Sequence, residues 1–599
     1  VESLERFDGH GSALAQPYHH LIMPLATPRD RRTQVAWGVA DFRHRFGREP
    51  EGMWLPETAV DLDTLEALAE HGIRFTILAP HQAGRVRAPG GDWQDVGDSG
   101  LDTTVAYRQL LPSGREIALF FYDGAASRAV AFDKLLEDGE ALASWLTGLA
   151  HESGTGGPRL AHIATDGETY GHHHGHGDMA LAVALERFES EPGVRLTNYA
   201  QFLAENPPVL EVEIRENTSW SCAHGVERWR SDCGCSTGGE SDWNQAWRVP
   251  LREALDALSD YLARVFEDRG GAVLSDPWRA RDAYVEAIVG TEAEREFFLD
   301  TWCTSRSHDE TTLALRLLEM QRCAMLMFTS CGWFFNDLAG IETRQILRYA
   351  ARALDLAESV GEEGLREPFL ASLAEAKGNG PQAPNGREVL EADSRTARVE
   401  ALDLAAAWAA CLAADVPAAN YAVWQVTGTW ATVSGSDVRA AAGSVVVTDL
   451  RTAERRAFRC RALARGPQDV RVRVQTAGPA VVRRWVEFEL VDLRPETRAA
   501  IGAERDTAAQ TNPARDRTIE EIRSTLVGLE SSVARTDEER ILSELDALLD
   551  RADAEAIELP LWDLQNSWWR WASRSGTMGQ GGLAESVARR LGFVDRGPV

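Results

Sequence analysis

The run Glu51-Gly-Met-Trp-Leu-Pro-Glu57 sets a carboxylate three residues after an indole, with Pro56 fixing the backbone between them. An indole can stack on a pyranose face while a carboxylate reaches the anomeric carbon. The competing reading makes Glu57 a first-turn residue of the next helix, favoured there by the helix dipole. A second run, Ala161-His-Ile-Ala-Thr-Asp166-Gly-Glu168-Thr-Tyr-Gly171, ends an apolar stretch with two acids and is followed by His172, His173, His174 and His176. Carboxylates two residues apart invite one of them to act as an acid with a tuned pKa. The alternatives are an Asp-Gly turn leading into a histidine-rich surface loop, or a metal held by those histidines with Asp178. Two carboxylates at separate strand ends are what glycoside hydrolysis requires, one attacking the anomeric carbon and one protonating the leaving oxygen. In a retaining enzyme they stand about 5–5.5 Å apart.

Two further stretches carry candidate ligands. Cys222-Ala-His224 and Cys233-Gly-Cys235 offer four soft ligands that could close a tetrahedral zinc site, although paired zinc ligands are usually two to four residues apart. The other reading is a loop whose thiols are small buried hydrophobes, with His224 and Trp229 packing on an active site. In Phe328-Thr-Ser-Cys331-Gly-Trp333-Phe-Phe-Asn-Asp337, aromatics at an apolar helix end more often pack in a core than bind a ligand, but the acids that follow make Trp333 and Asp337 candidates for a substrate rim.

These residues need a scaffold. Short apolar runs at Phe75–Leu78, Ile117–Tyr122 and Leu160–Ala164 read as strands between amphipathic segments. Asp61–Gly72 reads as a helix with Leu62, Leu65, Leu68 and Ala69 on one face and Gly72 as its stop. The alternation points to βα units around a parallel sheet or barrel, whose chemistry sits at the carboxyl ends of the strands. From about residue 245 the pattern is helical: Leu251, Leu255, Leu258, Leu262 and Phe266 form one stripe, and Ile346, Ala350, Ala353 and Leu354 another. A Gly- and Pro-rich stretch over 377–397 reads as a linker or long loop. Strand composition over 421–492 predicts a small antiparallel β domain, and residues 515–595 return to helix. Trp562, Trp568, Trp569 and Trp571 read first as interdomain or core packing.

Ninety-two acidic against 63 basic residues give a net charge of −29, which argues against nucleic acid or an anionic membrane surface as partner. No eighteen-residue apolar run predicts a membrane span, and the first residues lack a signal-peptide layout. Eight clustered cysteines fit a reducing cytoplasm better than a disulfide scaffold.

The stretches Pro17-Tyr18-His19-His20-Leu-Ile-Met-Pro24-Leu25, Phe42…Phe46-Gly47…Pro50 and Gly52-Met-Trp54-Leu-Pro-Glu57 through Gly72-Ile73 resemble glycoside hydrolase family 57. The resemblance implies Glu57 as catalytic nucleophile and Asp166, opening the Asp-Gly-Glu-x-(Phe/Tyr)-Gly motif, as general acid/base. It implies that His19, His20, Trp54 and Glu168 line the sugar site; the residue reading adds His224, Trp229, Trp333 and Asp337 as further candidate substrate contacts. It also implies an α/β fold: an incomplete seven-stranded (β/α) barrel over 1–207, then a mainly helical domain over 208–376 that completes the site. After the linker would come a helix with the small antiparallel β domain (398–510) and a helical C-terminal region (511–599). The cysteine loop and the Phe328–Asp337 stretch resemble a subgroup with an uncharacterised C-terminal domain.

The expected activity is retaining hydrolysis or transfer on α-linked glucans or oligosaccharides, with no required cofactor and a structural zinc on the cysteine loop. The family's opening His-Gln-Pro-type motif is not found, so an N-terminal strand is expected to be missing. That expectation motivates a catalytically degenerate glycan-binding or regulatory protein as one alternative. The histidine-rich loop motivates a metal-dependent hydrolase or deacetylase as another.

Overall fold

The computed structural model describes residues 2–97, 100–151, 157–238, 240, 242–380, 382–397, 399–418, 423–435, 438–466, 469–477, 485–501, 513–530, 535–554 and 583–590, with Leu564 and Trp568. Residues 1–400, with 422–425 and 448–456, make one compact unit; 401–421, 426–447 and 457–599 make a second.

The first unit is mixed α/β. Its site-bearing wall is a row of parallel extended segments: Ala15 bridges Met53, Gly52 bridges Phe75, and strand β1 (Phe75–Leu78) pairs in parallel with Glu116–Phe121. The row is stitched by Trp54 N–H to the Ala15 carbonyl (2.8 Å), Met53 N–H to Phe75 (3.1 Å) and Tyr122 N–H to Leu78 (3.2 Å). Four wholly buried residues, Phe-Thr-Ile-Leu, are what a strand covered on both faces needs.

With β2 (Ala83–Arg87), β3 (Gln94–Asp95), β4 (Tyr107–Leu110), β5 (Glu116–Phe121) and β6 (Glu211–Ile214), the ladders form a six-stranded sheet in the order β1-β5-β4-β6-β2-β3. Here the structure departs from the expected parallel βα arrangement of seven strands. Neighbours β4·β5, β6·β2 and β2·β3 are antiparallel. The cause at β4–β5 is a tight Leu111-Pro-Ser-Gly-Arg115 turn, closed by Leu111 N–H to Arg115 O and by Gly114 at φ +84°. The expected strand Leu160–Ala164 forms no ladder. Leu160 N–H bonds to Thr104 O, and His162 O accepts from Asp123 N–H.

The helix expected at Asp61–Gly72 runs Leu62–Glu70, with the Asp61 side chain accepting from Thr64 N–H and Gly72 at φ +81°. Helices Arg248–Val273, Pro277–Val289, Glu292–Trp302, His308–Leu326 and Ile341–Ser359 share one core with Trp37, Trp229, Trp247 and Trp333. Both expected stripes, Leu251 to Phe266 and Ile346 to Leu354, lie in that core. The stretch read as linker over 377–397 divides, since Gly386–Ala397 is a helix. A reciprocal cap starts it: Asn385 Oδ1 accepts from Glu388 N–H, and Glu388 Oε2 accepts from Asn385 N–H.

In the second unit, helix Ala401–Ala414 packs on strand Val470–Thr476 of a five-stranded antiparallel sheet. Helices Pro513–Glu530, Arg535–Ala554 and Leu583–Arg590 bury Trp568 with Leu545 and Val587. Trp562, Trp569 and Trp571 lie outside the described residues. No described helix is long and apolar enough to cross a membrane.

Gly38, inside helix Pro28–Phe46, gives a test of this packing. At an exposed helix position Gly→Ala stabilises by about 1 kcal/mol. Here the added Cβ would stand 2.1 Å from the Gln16 carbonyl oxygen, a backbone atom that cannot swing aside. Gly38→Ala should therefore destabilise by about 1–3 kcal/mol, read as a lower denaturation midpoint. A higher midpoint would show that the Gln16 segment yields freely.

Candidate active site

Glu57 follows the Gly52–Trp54 segment of the parallel wall, at its carboxyl end. It does not start a long helix, because Pro56–Thr58 is a single 3-10 turn with Glu57 at φ 58°, ψ 18° and Thr58 at φ 51°. A left-handed non-glycine pair is strained and needs external bonds to persist. Fully buried Gln82 supplies them. Its amide donates to Thr58 O (2.8 Å) and Thr218 O (3.2 Å), while its carbonyl accepts from Thr58 Oγ1 (2.8 Å) and Ala79 N–H (2.8 Å).

This turn aims the Glu57 carboxylate at two donors 163 and 164 residues away. Trp220 Nε1–H (2.9 Å) and Ser221 Oγ–H (2.5 Å) both bond to Oε2. Among the described residues Oε1 has no hydrogen-bond partner. Burial raises the carboxyl pKa; the Ser221 and Trp220 bonds oppose that rise, Asp166's charge adds to it and Arg228 lowers it. Neither Trp220 nor Ser221 was legible as a partner of Glu57. Their motif drew notice only for the cysteines that follow.

Asp166 lies just beyond the 160–164 segment and faces solvent. Its pKa is also raised, first by partial desolvation and then by the neighbouring Glu168 charge, while His173 and His20 oppose the shift. Exposed Glu168 thus stands beside Asp166, and its backbone carbonyl accepts from His172 and His173 N–H at 3.1 and 2.9 Å. His20, at φ 55°, forms a hydrogen bond to Ser330 Oγ (2.9 Å), and burial lowers its pKa against the pull of Asp166. Glu57, Asp166, Glu168 and His20 are therefore in one electrostatic neighbourhood. Trp54 joins it by packing edge-on against Trp220 at 5.2 Å.

The remaining candidates are placed differently. His19 turns toward Tyr18 and Trp37, at ring distances of 4.9 and 5.4 Å, and its Nδ1 and backbone N–H are taken up by Gln34. Burial holds its pKa well below the usual range, and its Nε2 has no partner. Trp229 and Trp333 are each 1 % exposed, so neither offers an open ring face; both line the floor of a cavity of about 320 Å³ with Phe328 and Arg252, whose lining also includes exposed Thr27, Asp256 and Asp260. Asp337 Oδ1 accepts from Ala339 N–H and closes a turn. Arg228, not singled out by the sequence reading, stacks its guanidinium 4.2 Å over Phe334 while its charge reaches Glu57.

His224 falls in a separate cluster. Sγ of Cys222 lies 3.9 Å from that of Cys233 and 3.8 Å from that of Cys235, which is 3.5 Å from His224 Nδ1. All four ligand atoms lie within 4.8 Å of one another, and the set could hold a metal ion. Gly234 at φ +77° lets Cys233 and Cys235 reach one centre across a single residue. Among the described residues no second group of three metal-ligand side chains converges, so His172, His173, His174 and His176 form none. His174 Nε2 instead bonds to Ala131 O at 2.9 Å.

Residues 8–215 match glycosyl hydrolase family 57, and residues 243–492 match a domain of unknown function, DUF3536. Among curated proteins none matches. Similar solved structures include an exo-type maltose-forming amylase from Pyrococcus sp. ST04, with 17 % identity, TM-score 0.49, and 62 % of this chain and 67 % of that one covered. A family 57 branching enzyme from Thermococcus kodakaraensis has 19 % identity and TM-score 0.36 over 62 % and 71 % of the two chains. A 4-α-glucanotransferase from Thermococcus litoralis has 12 % identity and TM-score 0.36 over 80 % and 75 %.

The partial burial of Glu57 has a consequence for stability. Its native pKa is raised, whereas in the unfolded chain it titrates near about 4.3. Its contribution is thus fully present below the unfolded pKa and is lost as pH rises through the native one. Glu57→Gln keeps the shape and removes the charge. The variant should be more stable than the parent at pH 7, with the difference closing toward about pH 4. Parallel stability curves for the two proteins over that range would contradict the burial argument.

Proposed function

This chain carries a glycosyl hydrolase family 57 domain over residues 8–215, and from that premise we propose that it is a retaining α-glucan hydrolase or transferase working by double displacement. The observation that carries the proposal is the Glu57 carboxylate: Oε2 is held by Trp220 and Ser221, Oε1 is unpartnered, and Asp166 is near enough for its charge to be felt. Oε1 attacks the anomeric carbon and forms a glycosyl-enzyme. Asp166 gives its proton to the departing oxygen, then takes one from the incoming acceptor. Water as acceptor gives hydrolysis, and a sugar hydroxyl gives transfer. The geometry required is a carboxyl separation of about 5–5.5 Å in the reacting complex.

The substrate class, α-linked glucans or oligosaccharides, follows from the family and from indoles and carboxylates gathered at one strand end. His20, Trp54 and Glu168 are assigned to the sugar site; His19 would join it through its unpartnered Nε2. The parallel row from Ala15 to Ala118 supports reading residues 1–207 as part of the family's incomplete barrel, with 208–376 completing the site. The second unit is assigned no chemistry.

We read the Cys222, His224, Cys233 and Cys235 cluster as a structural zinc site. Four protein ligands leave no open position for a metal-bound water, so the cluster does not support a metal-dependent hydrolase. Thiols kept free for an ion suit a reducing cytoplasm. About one zinc per chain should be found by mass spectrometry of protein purified without added metal. A metal-free, fully folded and active protein would remove this reading.

The mechanism is tested by separating the carboxylates. On maltooligosaccharides Glu57→Gln should lower kcat by about 10⁴-fold or more, as loss of a covalent nucleophile does. Asp166→Asn should cost about 10²–10⁴-fold on natural glucans and much less on an aryl α-glucoside whose leaving group needs no proton. Azide should partly rescue Asp166→Ala, releasing a glycosyl azide of the substrate's own anomeric configuration. Wild-type turnover by both variants on every accepted substrate would place the chemistry elsewhere.

A further inference from the structure

The two donors that hold Glu57 sit immediately before the first ligand of the cysteine cluster, Trp220-Ser221-Cys222. Upstream the chain is anchored to the barrel wall. Thr218 O accepts from Val60 N–H (3.0 Å) and Gln82 Nε2 (3.2 Å), and Ser219 O accepts from His81 Nε2 (3.0 Å). Downstream, among the described residues between Ser219 and the helix that begins at Arg248, the regular structure is one 3-10 turn, Glu227–Trp229. Cys222 and Cys235, 13 positions apart, are brought together by the cluster, and the cysteines are free rather than disulfide-linked. The donors therefore hang between a hydrogen-bonded anchor and a metal-ligand knot.

Two observations show that the knot is built for an ion. Three of the six separations between its ligand atoms, 3.5, 3.8 and 3.9 Å, match the edges of a tetrahedron with bonds of about 2.3 Å to sulfur and 2.0–2.1 Å to nitrogen, and all four atoms lie within 4.8 Å of one another. The charge also balances. A divalent ion with three thiolates and a neutral imidazole carries one net negative charge. Arg248 is completely buried; its Nη2 donates to the Phe334 and Phe335 carbonyls, and among the described residues its Nε and Nη1 have no partner. Asp232, Cys233 and Cys222 all act on its charge, so the loaded cluster adds to the counter-charge that Asp232 supplies.

We propose that a metal ion bound by Cys222, His224, Cys233 and Cys235 holds the positioning residues Trp220 and Ser221 on Oε2 of Glu57, so that metal loading sets the rate of the glycosyl step without the ion touching substrate. This rests on Glu57 being the nucleophile and on the cluster being a zinc site. Binding forms three metal–sulfur bonds and one metal–nitrogen bond and displaces the thiol protons to solvent. In the metal-free protein the Cys222–Cys235 loop opens, the two donors lose their fixed position, and the attacking oxygen loses its aim.

The test uses the full chain, stripped with a chelator under reducing conditions and refilled with Zn²⁺, Cd²⁺ or Co²⁺. Stripping should lower kcat by at least about tenfold while KM changes less than about threefold. Each of the three ions should restore kcat to within about threefold, because an ion remote from the substrate has only to hold its four ligands together. A Trp220→Phe/Ser221→Ala variant should keep its metal, match the stripped parent in kcat, and lose little more when stripped itself. Parental kcat in the stripped protein, or an equal loss on stripping parent and variant, would overturn the proposal. If stripping unfolds the chain, the loaded variant decides, and parental kcat there overturns it too. Two failures of the underlying readings are distinguishable. Protein that neither carries nor takes up metal ends the zinc reading, and turnover by Glu57→Gln ends the nucleophile reading.

Discussion

The structure of the site depends on keeping one carboxylate buried. Removing an ionised carboxyl from water is costly unless donors replace the lost hydration. For Glu57 the replacements come from Trp220 and Ser221, on a segment far away in sequence. They meet the carboxylate only because Glu57 and Thr58 occupy left-handed backbone conformations. That strain is held by Gln82, whose amide ties Thr58 to the segment carrying the donors. One buried glutamine thus links the strained turn, the strand end at Ala79 and the donor loop. The aim of the Glu57 carboxylate is a property of all three.

What was legible in the sequence was local. Phe75–Leu78 and Leu62–Glu70 were readable because burial on both faces and a capped amphipathic face leave patterns within ten residues. Glu57 and Asp166 were readable as the ends of apolar runs. Trp220 and Ser221 were not, because nothing in a one-dimensional pattern reports that residue 57 meets residues 220 and 221. Residue type also misleads about exposure. Trp333 was singled out as an aromatic near acids and Trp229 as packing on an active site, and both are buried in the helical core. Asp337 closes its own turn through Ala339. The antiparallel β4–β5 pair was missed because Tyr107–Leu110 is too short and too polar to stand out, although the Pro-Ser-Gly turn after it was in view.

The cysteine loop shows how a spacing rule gives way to backbone conformation. Single-residue spacers between paired ligands usually point successive side chains apart. Gly234 at positive φ reverses that, and Gly225, also at positive φ, closes the turn after His224. A Cβ on Gly225 would stand 2.3 Å from the Asn217 carbonyl oxygen, so the turn is packed against the donor segment. The same lesson applies to 377–397, where Gly and Pro suggested a linker. The Asn385-Gly-Arg-Glu388 capping pattern was written into the sequence at the boundary where a helix begins.

The two carboxyls share a site but not an environment. Both pKa values are raised, and the charge of Asp166 adds to the rise at Glu57, so ionising both together is disfavoured. The neighbours of the two groups differ. Glu57 has two hydrogen-bond donors on Oε2 and the nearby Arg228 charge, all of which favour its carboxylate. Asp166 has instead the like charge of Glu168 beside it, opposed only by His173 and His20. Burial also holds His20 toward its neutral form, which weakens that opposition. The surroundings of Glu57 thus work against the rise that burial causes, while those of Asp166 add to it. That difference comes from neighbours placed on separate segments of the chain rather than from any difference between Asp and Glu themselves.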